Sequence, residues 1–161
     1  MTRLLPSIAE IVVLSVWLGE AVFFSAAVAP ALFAVLPTRT LAGAVVGRLL
    51  PIVFYAGMVA GAALLALQWI IHRRWTFGGR ELSGIMMIVS CAIAQFIVSP
   101  RIQRIQEEIG GPLEALSADD PRRAAFGRLH GISVAWLGLA MLAAVVALVI
   151  AWRSIDNEAH P

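Results

Sequence analysis

Polar residues are so sparse along this chain that they serve mainly to separate four long apolar runs. The runs extend from Leu4 to Leu36, from Leu41 to Ile71, from Leu82 to Ser99 and from Leu129 to Trp152. A helix crosses about 30 Å of hydrocarbon with roughly 20 apolar residues, whereas a barrel strand uses about 10 that alternate with polar ones. These runs are continuous. The pattern predicts an all-α integral membrane protein, a bundle of four transmembrane helices.

Signals at the run ends lengthen two of the helices. Ile102, Ile105 and Ile109 recur at helical spacing and carry the third helix past the membrane, to a stop at Gly110-Gly111-Pro112. Asp119-Asp120-Pro121 reads as an N-cap with proline at the first helical position. The turn Pro37-Thr38-Arg39-Thr40 offers a threonine cap to the second helix. The predicted helices are therefore 4–36, 41–71, 82–109 and 121–152 within one domain, 1–161. Residues 101–128 form a helical hairpin link outside the membrane. Met1-Thr2-Arg3 and Ala27-Val28-Ala29 resemble parts of a signal peptide, but Glu10, Glu20 and Pro30 favour a retained helix.

Composition sharpens the class. Of 161 residues 60% are hydrophobic and 14% charged, with a mean hydropathy of +0.88. Soluble domains run at about 45–50% apolar and about 25% charged. A soluble enzyme, a disordered tail and a nucleic-acid-binding module are excluded, and lipid is the implied solvent. The formal charge of +2 is too small to imply a polyanionic partner. All 12 basic residues are arginine, and the single Cys91 rules out an internal disulfide framework. A bare count of arginines favours the side opposite the termini as cytoplasmic, whereas the compact cluster Arg73, Arg74 and Arg80 in the short second link favours both termini there, the orientation adopted.

Candidate chemistry gathers on the opposite side. Arg39, Arg48, Arg101, Arg104, Arg128 and His130 fall there, beside Pro30 and Pro100, which end or bend their helices. Guanidinium groups pair bidentately with phosphate, so this face reads as an anion or lipid-phosphate site. The plainer reading pairs these arginines with Glu107, Glu108, Glu114, Asp119, Asp120 and lipid headgroups. Glu20 lies about 15 Å along its helix from Pro30, near mid-bilayer, where an ionisable group is a candidate proton or cation site. Glu10 sits near the interface, within reach of Arg73 or Arg74. Met87, Cys91, Gln95 and Ser99 share a face of the third helix, which reads as packing or as soft copper ligands. His130 is a candidate haem or copper ligand, although no local spacing builds a metal site. Gly43, Gly47, Gly57 and Gly61 give the second helix a small-residue face, for close packing or a homo-oligomer. No phosphate-binding loop, nucleophile motif or dinucleotide fingerprint is present.

Several ordered motifs carry a family resemblance. Trp17-Leu18-Gly19, Phe23-Phe24, Ala29-Pro30-Ala31-Leu32-Phe33, Arg39, Ala42-Gly43 and Pro51 are followed by Ser99-Pro100-Arg101, Phe126-Gly127-Arg128-Leu129-His130-Gly131 and Ser133. Together they resemble transmembrane protein 205-like proteins over nearly the whole chain. The resemblance implies a four-helix membrane protein from a family of largely unknown function. Its motif positions point to Pro30, Arg39, Pro100, Arg101 and His130, whereas Glu20 lies outside the pattern. A looser, architectural similarity links the chain to the copper-resistance D family. Three readings stay open: a small transport or ligand-binding protein, a haem- or copper-binding redox protein, and a non-catalytic scaffold subunit.

Overall fold

A computed structural model describes residues 4–72, 78–117 and 119–159. It contains four helices long and apolar enough to cross a membrane. Helix α1 runs Leu4–Phe23, passes through a π-helical turn at Phe24–Val28 and continues as Ala29–Val35. Helix α2 is Arg39–His72. Helix α3 repeats the plan of α1: Gly79–Ala92, a π-helical turn at Ile93–Val98, then Ser99–Ile109. Helix α4 is Pro121–Ala159.

The two π-turns have one cause. Each precedes a proline, Pro30 or Pro100, which lacks an N–H and collides with the carbonyl four residues back. The wider turn answers both problems: the Ala29 N–H bonds to the Phe24 carbonyl, and the Ser99 N–H to that of Ala94. The Ser99 hydroxyl also donates to the Ala94 carbonyl, at 2.9 Å.

The helix ends are capped locally. Thr38 Oγ1 accepts the Leu41 N–H at 3.1 Å and opens α2. Asp120 accepts the Arg122 N–H at 2.9 Å and opens α4, whose first residue is Pro121. Gly110 closes α3 at φ 63°, a left-handed conformation costly for any residue with a Cβ.

Helices α1 to α4 form a square, each packed on its two chain neighbours and α1 on α4. The core between them joins Leu14, Trp17, Phe54, Leu64, Met87 and Cys91 to an alanine face of α4 that includes Ala140, Ala144 and Ala147. Small residues set the spacing, because lipid gives apolar helices little reason to associate except close packing and hydrogen bonds. A Cβ on Gly61 would lie 2.8 Å from the Gly84 carbonyl, so α2 and α3 cross almost backbone to backbone. The Trp17 indole donates to the Val53 carbonyl at 3.0 Å and pins α1 to α2 inside the core.

This square holds only over part of its height. Beyond Phe24, α1 packs mainly on α2, and beyond Val98, α3 packs mainly on α4. The two hairpins therefore part above the π-turns. The short 3-10 turn Leu113–Ala115 crosses from one hairpin to the other: the Thr40 hydroxyl donates to Glu114 at 2.7 Å and accepts the Leu113 N–H at 3.3 Å.

Candidate functional site: a closed polar clasp and an open arginine layer

At the end where α1 starts and α4 finishes, four polar side chains meet, one from each helix. Glu10 of α1 accepts a hydrogen bond from the Gln68 amide of α2 and pairs with Arg80 of α3, at 3.4 Å. Arg80 in turn donates to Ser154 Oγ of α4 at 2.6 Å and to the Ile150 carbonyl at 3.4 Å. The Glu10 side chain is fully buried and that of Arg80 is 13% exposed. Buried charges persist only when paired and hydrogen-bonded, and these are both. The network ties all four helices together at one level, and we call it the clasp.

Within the clasp Glu10 is fully buried and pairs with Arg80. Arg73 and Arg74, the partners anticipated from the sequence, lie outside the described residues. Gln68, Arg80 and Ser154 were not anticipated as site residues. Their signal in the sequence is isolation: Gln68 is a single amide in an otherwise apolar stretch, and Arg80 stands just ahead of one.

Counting along the helices places the second layer. From Glu10 to Pro30, from Gln68 to Arg48 and from Arg80 to Arg101 is in each case about twenty residues, or about 30 Å. That is the thickness of the hydrocarbon core. The clasp thus sits at one boundary of the hydrocarbon and an arginine layer at the other. The parted hairpins rise above that layer.

The predicted site residues occupy this open end in different ways. Arg39, Arg48, Arg101, Arg104 and Arg128 are all exposed, and among the described residues none of their side chains makes an ion pair or hydrogen bond. Two of the nearby acids have other partners. Asp120 holds Arg122 at 2.7 Å, and that guanidinium keeps the Asp120 carboxyl below the usual carboxylate range. Glu114 is likewise held below its ordinary value, chiefly by the Thr40 hydroxyl. His130 is exposed, with its ring parallel to that of Phe126 at 6.4 Å. Ser133 is 2% exposed, and among the described residues neither its Oγ nor the Oε1 of Gln95 has a hydrogen-bond partner. The contacts of Arg122 with Glu108 and Arg80 with Ile150 fix the α3–α4 register. In that register Ser133 lies within about one turn of Gln95, at the floor of the parting.

Other candidates fall elsewhere. Met87 and Cys91 are fully buried in the core, about three turns from the level of His130, so these potential soft ligands do not converge. Among the described residues no three of His, Cys, Asp and Glu form a metal-binding group. Gly57 and Gly61 pack inside the bundle, whereas Gly43 and Gly47 face open space. An apolar groove of about 300 Å³, lined by Ile11, Leu148, Val149, Trp152 and Arg153, lies at the outer surface near the clasp.

Four apolar, antiparallel helices with charged layers at both hydrocarbon boundaries define a multi-pass integral membrane protein. The chain belongs to the DUF4149 family, a domain of unknown function, which it matches over residues 12–110. That match spans α1 from Val12 and all of α2 and α3, and so includes Gln68 and Arg80 of the clasp and Arg39, Arg48, Arg101 and Arg104 of the open end. No curated protein and no solved structure matches the chain.

Proposed function

We propose that this chain is a small ligand-binding or transport protein of the membrane that takes a phosphate-bearing anion at its open end. The observation that carries this reading is the set of unpaired arginines in the layer where the hairpins part. Exposed cationic side chains left without acidic partners, at the end where the hairpins part, suit an oxyanion. The clasp supports the same reading, because a bundle shut at one boundary and open at the other presents its site to one side only. The motifs resembling transmembrane protein 205-like proteins fall on the open end too, at Pro30, Arg39, Pro100, Arg101 and His130. We take the clasp end as cytoplasmic, from the arginines of the α2–α3 link.

Native mass spectrometry of the detergent-purified chain tests this. Phosphatidylglycerol and inorganic phosphate are titrated separately, with phosphatidylcholine as the zwitterionic control. We expect one anionic ligand to bind at least tenfold more tightly than the control. The variant Arg48→Gln/Arg101→Gln/Arg128→Gln should abolish that preference, since a charged hydrogen bond contributes about 1.5–3 kcal/mol. Equal binding of all three probes, or a preference unmoved by the triple variant, contradicts the reading. The phosphate arm separates a free anion from a lipid headgroup.

A further inference from the structure

Between the clasp and the arginine layer lies one carboxyl group that neither uses. Glu20 is about ten residues, hence about 15 Å, from Glu10 on one side and from Pro30 on the other, at the centre of the hydrocarbon. Its side chain is only half-buried, and among the described residues it makes no hydrogen bond or ion pair. A carboxyl group facing hydrocarbon without a partner is costly, so such groups are normally turned inward or paired. The face around it is turned outward. Val16 and Phe23 are 68% and 65% exposed. Gly19 is exposed as well, with no atom within 4 Å of where its Cβ would stand.

We propose that a second copy of the chain covers this face, in a two-fold dimer whose Glu20 carboxyl groups hydrogen-bond to each other. Two copies inserted the same way are related by an axis along the membrane normal, and an isologous contact sets equivalent residues against one another. A carboxylic acid carries both a donor and an acceptor, so Glu20 is its own complement. An acyl chain offers neither. Gly19 lets the two α1 backbones approach, while Val16 and Phe23 supply apolar contact. The proposal is independent of the anion site, because it uses the middle of α1 and none of the arginines.

The test uses the full chain in lipid vesicles, on a Cys91→Ala background so that an introduced thiol is the only one. Val16→Cys should form an oxidant-induced dimer under conditions where Val59→Cys, equally exposed on α2 at 68%, does not. Association is then followed by energy transfer between labelled copies. Glu20→Leu should weaken it roughly three- to twentyfold, the range of interhelical hydrogen bonds in membranes. Glu20→Gln, which keeps a donor and an acceptor, should stay near the native value. Gly19→Leu should weaken association and leave thermal unfolding in detergent unchanged. The proposal is overturned if the native chain stays monomeric as protein is raised against lipid, or if Glu20→Leu associates as tightly as the native chain. Equal cross-linking at Val16→Cys and Val59→Cys also overturns it.

Discussion

Arg80 and Arg101 stand about one hydrocarbon thickness apart on the same helix, and the bundle treats them in opposite ways. Arg80 is buried, paired with Glu10 and bonded to α4, within a network that Gln68 completes from α2. Arg101 is exposed and, among the described residues, has no partner. A guanidinium that links elements is spent on structure. One left free remains available to a ligand. The contrast teaches where to look for function in a chain with no catalytic signature: at charges the fold has not already used.

The largest way to break this contrast is to cut the clasp. Glu10→Leu leaves Arg80 buried without its carboxylate and should lower stability by about 3–5 kcal/mol, seen as thermal unfolding in detergent. Glu10→Leu/Arg80→Met should recover much of that loss, because the pair is replaced by apolar groups. Arg101→Gln, at the open end, should stay within about 0.5 kcal/mol of the native chain.

Glycines sharpen the same division. A Cβ on Gly57 would lie 2.6 Å from Cys91 Sγ and 2.9 Å from the Trp17 ring, so Gly57→Ala should cost about 1–3 kcal/mol. Gly47→Ala meets nothing and should be nearly neutral. Below these comes Trp17→Phe, which removes the hydrogen bond to the Val53 carbonyl and should cost about 1 kcal/mol.

The smallest effect belongs to the strap over the open end. The Thr40 hydroxyl stabilises ionised Glu114, whose folded carboxyl therefore titrates below the unfolded one. A depressed carboxyl contributes in full above the unfolded range and loses its contribution as pH falls through the folded value. Thr40→Val should move the Glu114 titration, read by NMR, back up toward an ordinary glutamate. An unchanged titration in that variant would mean the strap is not tied through Thr40.

How much of this was legible in the sequence follows from the range of each interaction. Run length and hydropathy need no partner, so four helices could be read directly, as could a threonine cap in Pro37-Thr38-Arg39-Thr40, an aspartate cap at Asp119-Asp120 and a stop at Gly110-Gly111-Pro112. Pro30 and Pro100 marked irregularities, but the π-turns that absorb them depend on backbone bonds that no residue pattern announces. The arginine layer was visible because Arg39, Arg101, Arg104 and Arg128 flank the apolar runs and Arg48 is the lone charge inside one. The clasp was not, because Glu10, Gln68, Arg80 and Ser154 come from four helices, and only antiparallel packing brings them to one level. Gly57 and Gly61 looked the same in sequence as Gly43 and Gly47. Their neighbours Trp17, Cys91 and Gly84 decide which pair is buried.

Thiol reactivity at the two ends tests the central claim most directly. On the Cys91→Ala background in detergent, Gly43→Cys reports the parted hairpins and Ser83→Cys, whose native serine is 5% exposed, reports the closed end. The account predicts that a water-soluble maleimide labels Gly43→Cys at least tenfold faster, and that Glu10→Leu narrows the gap by raising the rate at Ser83→Cys. Equal rates in the otherwise native chain would mean that the bundle is not shut at one end and open at the other.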